Sequence, residues 1–207
     1  GMEFKSGERN RSFFSFAIAN REPSRQNYID ASADEIVPVH EKLYNIELGH
    51  EFRTSKLMLL GNLYYMYYID QLVATGEIDN VGYPILRNVP ESYRAGIEVI
   101  AGIKLLNNLN WNGNATFSKN RIKDFSESVD NFDTGETIII NHGDTEISFS
   151  PSIIAGSIIT YEPFKDFKTA LSSKYVSRQY IDNTESKARS LDPYFVNNLR
   201  FSYRLNT

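Results

Sequence analysis

Apolar and polar positions alternate along most of the chain, the mark of strands with one apolar face. Residues 109–120, LNWNGNATFSKN, show it most plainly: Leu109, Trp111, Gly113, Ala115 and Phe117 oppose Asn110, Asn112, Asn114, Thr116, Ser118 and Asn120. Phe14, Phe16 and Ile18 likewise oppose Ser15, Ala17 and Ala19. Tyr44, Ile46, Leu48, His50 and Phe52 oppose Asn45, Glu47, Gly49, Glu51 and Arg53, and Ile97, Val99 and Ala101 oppose Gly96, Glu98 and Gly102. Further strands are predicted from Leu57, over 146–161, 167–180 and 194–205. The pattern predicts an all-β fold, an antiparallel up-and-down meander of about eight strands, with no helix.

The connections sort by length. Strands meet in tight turns at RTS, NN and EPFKD, whereas the chain between Asn20 and His40, Leu72 and Glu91, Lys123 and Thr145, and Ile181 and Pro193 forms long loops. Short and long alternate, so every long loop lies at one end of the sheet. A sandwich has no reason to sort its loops, but an outer-membrane barrel does, with short periplasmic turns and long extracellular loops. Aromatics on the apolar parity form two belts, Phe52, Trp111, Phe167 and Tyr203 toward the short turns and Tyr44, Tyr65, Tyr93, Phe117 and Tyr175 toward the long loops. Such rings favour the boundary between hydrocarbon and headgroup. His50 falls on the same parity near a short turn, at headgroup depth. The polar side chains of residues 109–120 cannot face a dry core, since an unpaired buried amide costs about 1–3 kcal/mol, so they face a lumen.

Composition narrows the function. Tyr and Phe number 13 each and cysteine is absent, which favours strands and rules out disulfides and thiolate metal sites. No apolar run approaches the roughly 20 residues of a spanning helix. The net charge is −4 with scattered basic residues, so no nucleic-acid surface is expected. The histidines His40, His50 and His142 are far apart, and no nucleophile elbow, metal spacing or phosphate loop occurs. No catalytic residue, metal or cofactor is therefore expected, and the chain is not read as an enzyme. Gly1 before Met2 suggests a tag scar, and residues 1–11 read as a disordered lead to a single domain over 12–207.

Several stretches resemble the β-barrel domain of TonB-dependent outer-membrane receptors of the Bacteroidetes type. They include REPSRQNYIDA, HEKLYNIELGHEFRTSKLMLLGNLYYMYYID, WNGNATFSKNRIKDF, ISFSPSIIAGSIITYEPFKDF and SKYVSRQYIDNTESKARSLDPYFVNNLRFSY. The resemblance implies a bacterial outer-membrane location, contact with lipid, and uptake of a scarce ligand, a ferric siderophore first, driven by the TonB complex. It also implies that Glu47 in NIELG and Glu98 in AGIEV, both on the polar parity, pair with arginines of the plug domain of the parent chain. Ligand contacts are expected in the long loops, with Arg21, Arg25, Tyr28, Tyr83, Arg87 and His142 as candidates. A family barrel has about 22 strands, a plug before it and a terminal aromatic residue, so this chain is expected to be part of a larger transmembrane barrel, lacking plug and final strands. Two other readings stand beside this one: a small complete outer-membrane barrel serving as adhesin or membrane enzyme, and a soluble carbohydrate-binding β-sandwich.

Overall fold

A computed structural model describes residues 1–31, 37–78, 81–131 and 134–205. In chain order it holds β1 (Met2–Ser6), β2 (Asn10–Arg21), α1 (Arg25–Asp30), β3 (Glu41–Arg53), β4 (Leu57–Ile78), β5 (Pro84–Leu106), β6 (Leu109–Asn131) and β7 (Glu136–Glu146). There follow β8 (Ile153–Phe164), β9 (Phe167–Val176), β10 (Gln179–Tyr180), a 3-10 turn (Lys187–Arg189), β11 (Ser190–Leu191) and β12 (Tyr194–Tyr203). The main sheet runs β1-β2-β3-β4-β5-β6-β8-β9-β12 and is antiparallel throughout, with β7 added to the outer half of β6. Consecutive strands pair with their neighbours, as an up-and-down meander requires. β1 and β12 do not pair with each other, so the sheet is open.

Unbroken register carries the alternation across the sheet. Phe14 faces Leu48, Leu48 faces Leu63, Leu63 faces Ile97, Ile97 faces Phe117, and Phe117 faces Ile153. Most of these apolar side chains are exposed, Leu48 by 53% and Phe117 by 51%, as on the outer face of a membrane barrel. His50, the polar exception on this face, lies opposite Ser12, whose hydroxyl sits 2.9 Å from the ring Nδ1. Trp111 also satisfies its polar atom locally, donating from Nε1 to Ser157 Oγ at 2.9 Å. Its ring lies over Gly113, where a Cβ would come within 2.5 Å of Trp111 Cζ2. Aromatic stacking follows the two belts, with Tyr65 on Tyr93 (6.2 Å) at one end and Phe167 between Phe164 (5.0 Å) and Phe201 (6.3 Å) at the other.

Four sequence expectations change. Residues 1–11 are not a disordered lead: Met2 and Phe4 alternate with Glu3 and Lys5, β1 pairs with β2, and Gly7 turns the chain at φ 71°. The first long loop carries α1, started by Ser24, whose hydroxyl accepts from Asn27 N while Asn27 Oδ1 accepts from Ser24 N. Much of the two middle loops is strand, since β4 and β5 pair out to Ile78 and Pro84 and β6 and β7 out to Asn131 and Glu136. Beyond the bilayer both faces meet water, so the apolar parity that marks a strand is lost. Finally, the strand expected from 146 begins only at Ile153: Glu146 ends β7, and a corner at which Phe149 takes φ 50° leads into β8. Parts of the expected long loops, 32–36, 79–80 and 132–133, and the chain end at 206–207 lie outside the described residues.

Candidate functional site

The polar face forms a wall with a pocket in it. Glu47 lies opposite Tyr64, Tyr64 opposite Gly96 and Gly96 opposite Ser118; one step along, Asn62, Glu98, Thr116 and Ile154 make the next row. Side chains of these rows, with Met66, Arg94, Asn120 and the corner 149–151, bound a cavity of about 450 Å³. The two carboxylates expected on the polar parity are therefore in one pocket. Gly96 lets this happen: the Tyr64 ring lies across it, with its hydroxyl 2.5 Å from where a Cβ would stand.

Among the described residues neither carboxylate has an ion pair. Glu47 accepts from Asn45 Nδ2 at 2.7 Å, and Glu98 from Asn62 Nδ2 at 3.4 Å. Arg94, the nearest basic residue along the wall, donates instead to Ser150 Oγ at 2.8 Å. The carbonyl oxygens Asn45 Oδ1 and Asn62 Oδ1 are buried without a partner, which costs about 1–3 kcal/mol each. Glu47, Glu98 and Asn62 thus bring acceptors into the pocket while Arg94 is engaged by Ser150, an arrangement that suits a further guanidinium or ammonium group.

The long-loop candidates separate into two sets. Arg21 pairs with Glu41 at 2.9 Å, which also accepts from Leu72 N. Arg87 donates to Ser128 Oγ at 2.8 Å, and His142 Nε2 lies 3.0 Å from Glu127 Oε2 with its ring stacked on Phe125. These three hold structure together. Arg25 and Tyr28 project from α1, and Tyr83 stands exposed near the tip of the β4–β5 hairpin. Arg87 and His142 contact the adjacent β6 residues Ser128 and Glu127.

The same end holds a network that periodicity does not reveal. Residues 177–193 fold back as a strap toward β4 and β6. At its centre Asn183, 1% exposed, accepts from Ser148 N at 2.8 Å and donates to Ala74 O at 2.9 Å. Arg189 ion-pairs with buried Glu127 at 2.8 Å and with Asp182 at 3.0 Å, while Arg121 holds Glu185 at 2.7 Å. A small apolar core of Val73, Val89, Ile122, Phe125 and Ile147 lies at this end of the sheet. Burial pushes the Glu127 carboxyl up, but hydrogen bonds and charge from Arg189 and His142 outweigh it and hold the group below the ordinary carboxylate range. Glu146 moves the other way, raised first by burial and then by the Glu185 charge.

Comparison with known proteins agrees with this architecture. The family model for TonB dependent receptor-like β-barrels matches residues 13–207. No curated protein matches in sequence. Among solved structures, the siderophore receptor PiuA from Acinetobacter baumannii aligns with a TM-score of 0.75 at 16% identity, over 99% of this chain and 29% of that one. The ferric yersiniabactin uptake receptor FyuA from Yersinia pestis gives 0.69 at 15%, over 97% and 28%. The ferric enterobactin receptor from Pseudomonas aeruginosa gives 0.66 at 18%, over 99% and 32%. At such identities the likeness is one of fold, and this chain spans less than a third of each of those three receptors. With the family model covering nearly its whole length, the chain belongs to the TonB dependent receptor-like β-barrel family.

Proposed function

We propose that this chain is part of the wall of a bacterial outer-membrane receptor that takes up a ferric siderophore, of the Bacteroidetes type that the quoted stretches resemble. The solved neighbours include, by their own descriptions, a siderophore receptor, a ferric yersiniabactin uptake receptor and a ferric enterobactin receptor, and the apolar outer face suits lipid. The observation that carries the reading is the acceptor-rich lumenal pocket. Glu47 and Glu98 share it with no ion pair among the described residues, since Arg94, which also lines it, is engaged by Ser150, and the orphaned Asn62 oxygen adds to its demand for donors. Arginines of the parent chain's plug domain are the partners this chemistry fits, so Glu47 and Glu98 seat the plug. Energy for uptake reaches the receptor from the TonB complex through the parent chain. At the outer end Arg25, Tyr28 and Tyr83 are the exposed ligand-contact candidates, while Arg21, Arg87 and His142 shape the loops around them.

The test is Glu47→Gln with Glu98→Gln in the full-length receptor. It should lower siderophore-dependent iron uptake and weaken exclusion of vancomycin, which an intact outer membrane keeps out. Unchanged uptake with unchanged exclusion would refute the seating role.

A further inference from the structure

The corner between β7 and β8 touches both the lumenal pocket and the outer strap. Phe149, Ser150 and Pro151 line the pocket, as Arg94 does. Ser148 N donates to Asn183 Oδ1 at 2.8 Å and Phe149 N to Tyr180 O at 2.9 Å. The two amides that hold the strap therefore belong to residues at the edge of the pocket. From the wall, Arg94 donates to Ser150 Oγ at 2.8 Å, and that hydroxyl donates in turn to Ser148 O at 3.1 Å. Asn120 Nδ2 donates to Ser150 O and Ser118 Oγ to Pro151 O, both at 3.3 Å. Residues 148–152 lie outside any strand, so these side chains, rather than a ladder, fix the corner's shape. That shape is strained. Phe149 takes φ 50°, a conformation costly for a bulky side chain that persists only where surrounding contacts impose it. When the contacts on one side loosen, Phe149 can return to extended backbone, which re-aims the amides that the strap needs. A docked and a relaxed corner are thus two arrangements that contacts from either side can bias.

We propose that this corner couples the lumenal pocket to the strap: Arg94, by holding Ser150, sets how often the strap opens, and an anionic group that draws Arg94 away releases it. Arg94 is a positioning residue for the strap, acting from inside the lumen through Ser150 and Ser148. The coupling is reciprocal, so a strap lifted off Ser148 also frees Arg94 for the pocket. It holds whatever fills the lumen. Its test reads the strap rather than transport, so it can fail while the seating role of Glu47 and Glu98 stands, and the reverse.

Four variants of the full-length receptor in detergent test this by hydrogen exchange: Arg94→Gln, Ser150→Ala, the two together, and the conservative Arg94→Lys. Each is first checked for a folded barrel by its heat-modifiable migration. Arg94→Gln should speed exchange at Ser148, Phe149 and across 179–189 about tenfold, the scale of one charge-assisted hydrogen bond partly open to water, with the β5 and β8 ladders unaltered. Ser150→Ala should do at least as much. The double variant should do no more than Ser150→Ala, because both changes remove the same bond. Arg94→Lys keeps a charged donor and should stay near the parent rate. Unchanged strap exchange in both single variants overturns the coupling. Additive effects overturn it too, since Arg94 would then reach the strap by another route, and so does exchange in Arg94→Lys as fast as in Arg94→Gln. Should Arg94→Gln migrate as unfolded, Ser150→Ala decides alone: faster strap exchange supports the coupling and unchanged exchange overturns it.

Discussion

Replacing Asn183 with alanine should release the strap without unfolding the wall. The side chain is fully buried and holds Ser148 N at 2.8 Å and Ala74 O at 2.9 Å, the latter 109 residues away in sequence. Truncation leaves one backbone donor and one backbone acceptor buried without partners. Each costs about 1–2 kcal/mol after partial rehydration, so the strap loses about 2–4 kcal/mol relative to its open state. At about 1.4 kcal/mol per decade, that raises its opening equilibrium roughly 30- to 1,000-fold. Wall strands, held by continuous ladders, should keep their protection, because local and global opening have separate free energies. Hydrogen exchange on the detergent-solubilised receptor reads both quantities at once. Faster exchange at Ser148 and across the strap, with β5 and β6 unaltered, is the expected pattern. Unchanged strap protection would show that the amide carries no share of the docking; equal loss in the strands would show that strap and wall open together.

Three further outcomes follow from the same geometry. Because the Glu127 carboxyl is held below its ordinary value, the stability it lends the strap is complete above about pH 4.3, the unperturbed value, and is lost as pH falls through the lower folded value. Glu146, raised by burial, opposes this trend on acidification. Strap exchange should therefore stay flat near neutrality and rise in acid, and Glu127→Gln should remove most of that dependence. Gly113→Ala places a methyl against the Trp111 ring, which must leave Ser157; the Trp111 fluorescence, taken as the difference from a Trp111→Phe receptor, should shift, and an unchanged difference spectrum would contradict the packing. Arg189→Ala leaves Glu127 with His142 alone and should speed strap proteolysis with little effect on barrel migration.

What the sequence revealed depended on where lipid enforces a rule. Glu47 and Glu98 could be placed in the lumen because Leu48 and Ile97 beside them are apolar and the parity between Tyr44 and Phe52 never slips. Near the outer end that rule ends. Asp124 at φ 52° sits in a register shift between β6 and β7, and β4 slips against β5 beyond Ala74, after which parity counted along β4 and β6 no longer reports the face. Asp tolerates that backbone region, and in a row of polar residues it attracts no notice. Asn183, Glu127 and Arg189 were hidden for a different reason. Their meaning lies in contacts across the fold, and NTESKARS reads as an ordinary polar loop. β1 was missed although Met2 and Phe4 alternate with Glu3 and Lys5, because five residues are too few for periodicity to outweigh a tag-like start.

The orientation of the wall is the point on which everything else depends, and residues 109–120 test it most directly. The chain has no cysteine, so single substitutions from Leu109→Cys to Asn120→Cys, in a full-length receptor with any cysteine elsewhere replaced by serine, can each be treated with a water-soluble thiol reagent in intact membranes. Labelling should alternate strictly, high at 110, 112, 114, 116 and 118 and low at 109, 111, 113, 115 and 117. Labelling of the odd positions, or of both faces alike, would place water on the face assigned to lipid and contradict the barrel.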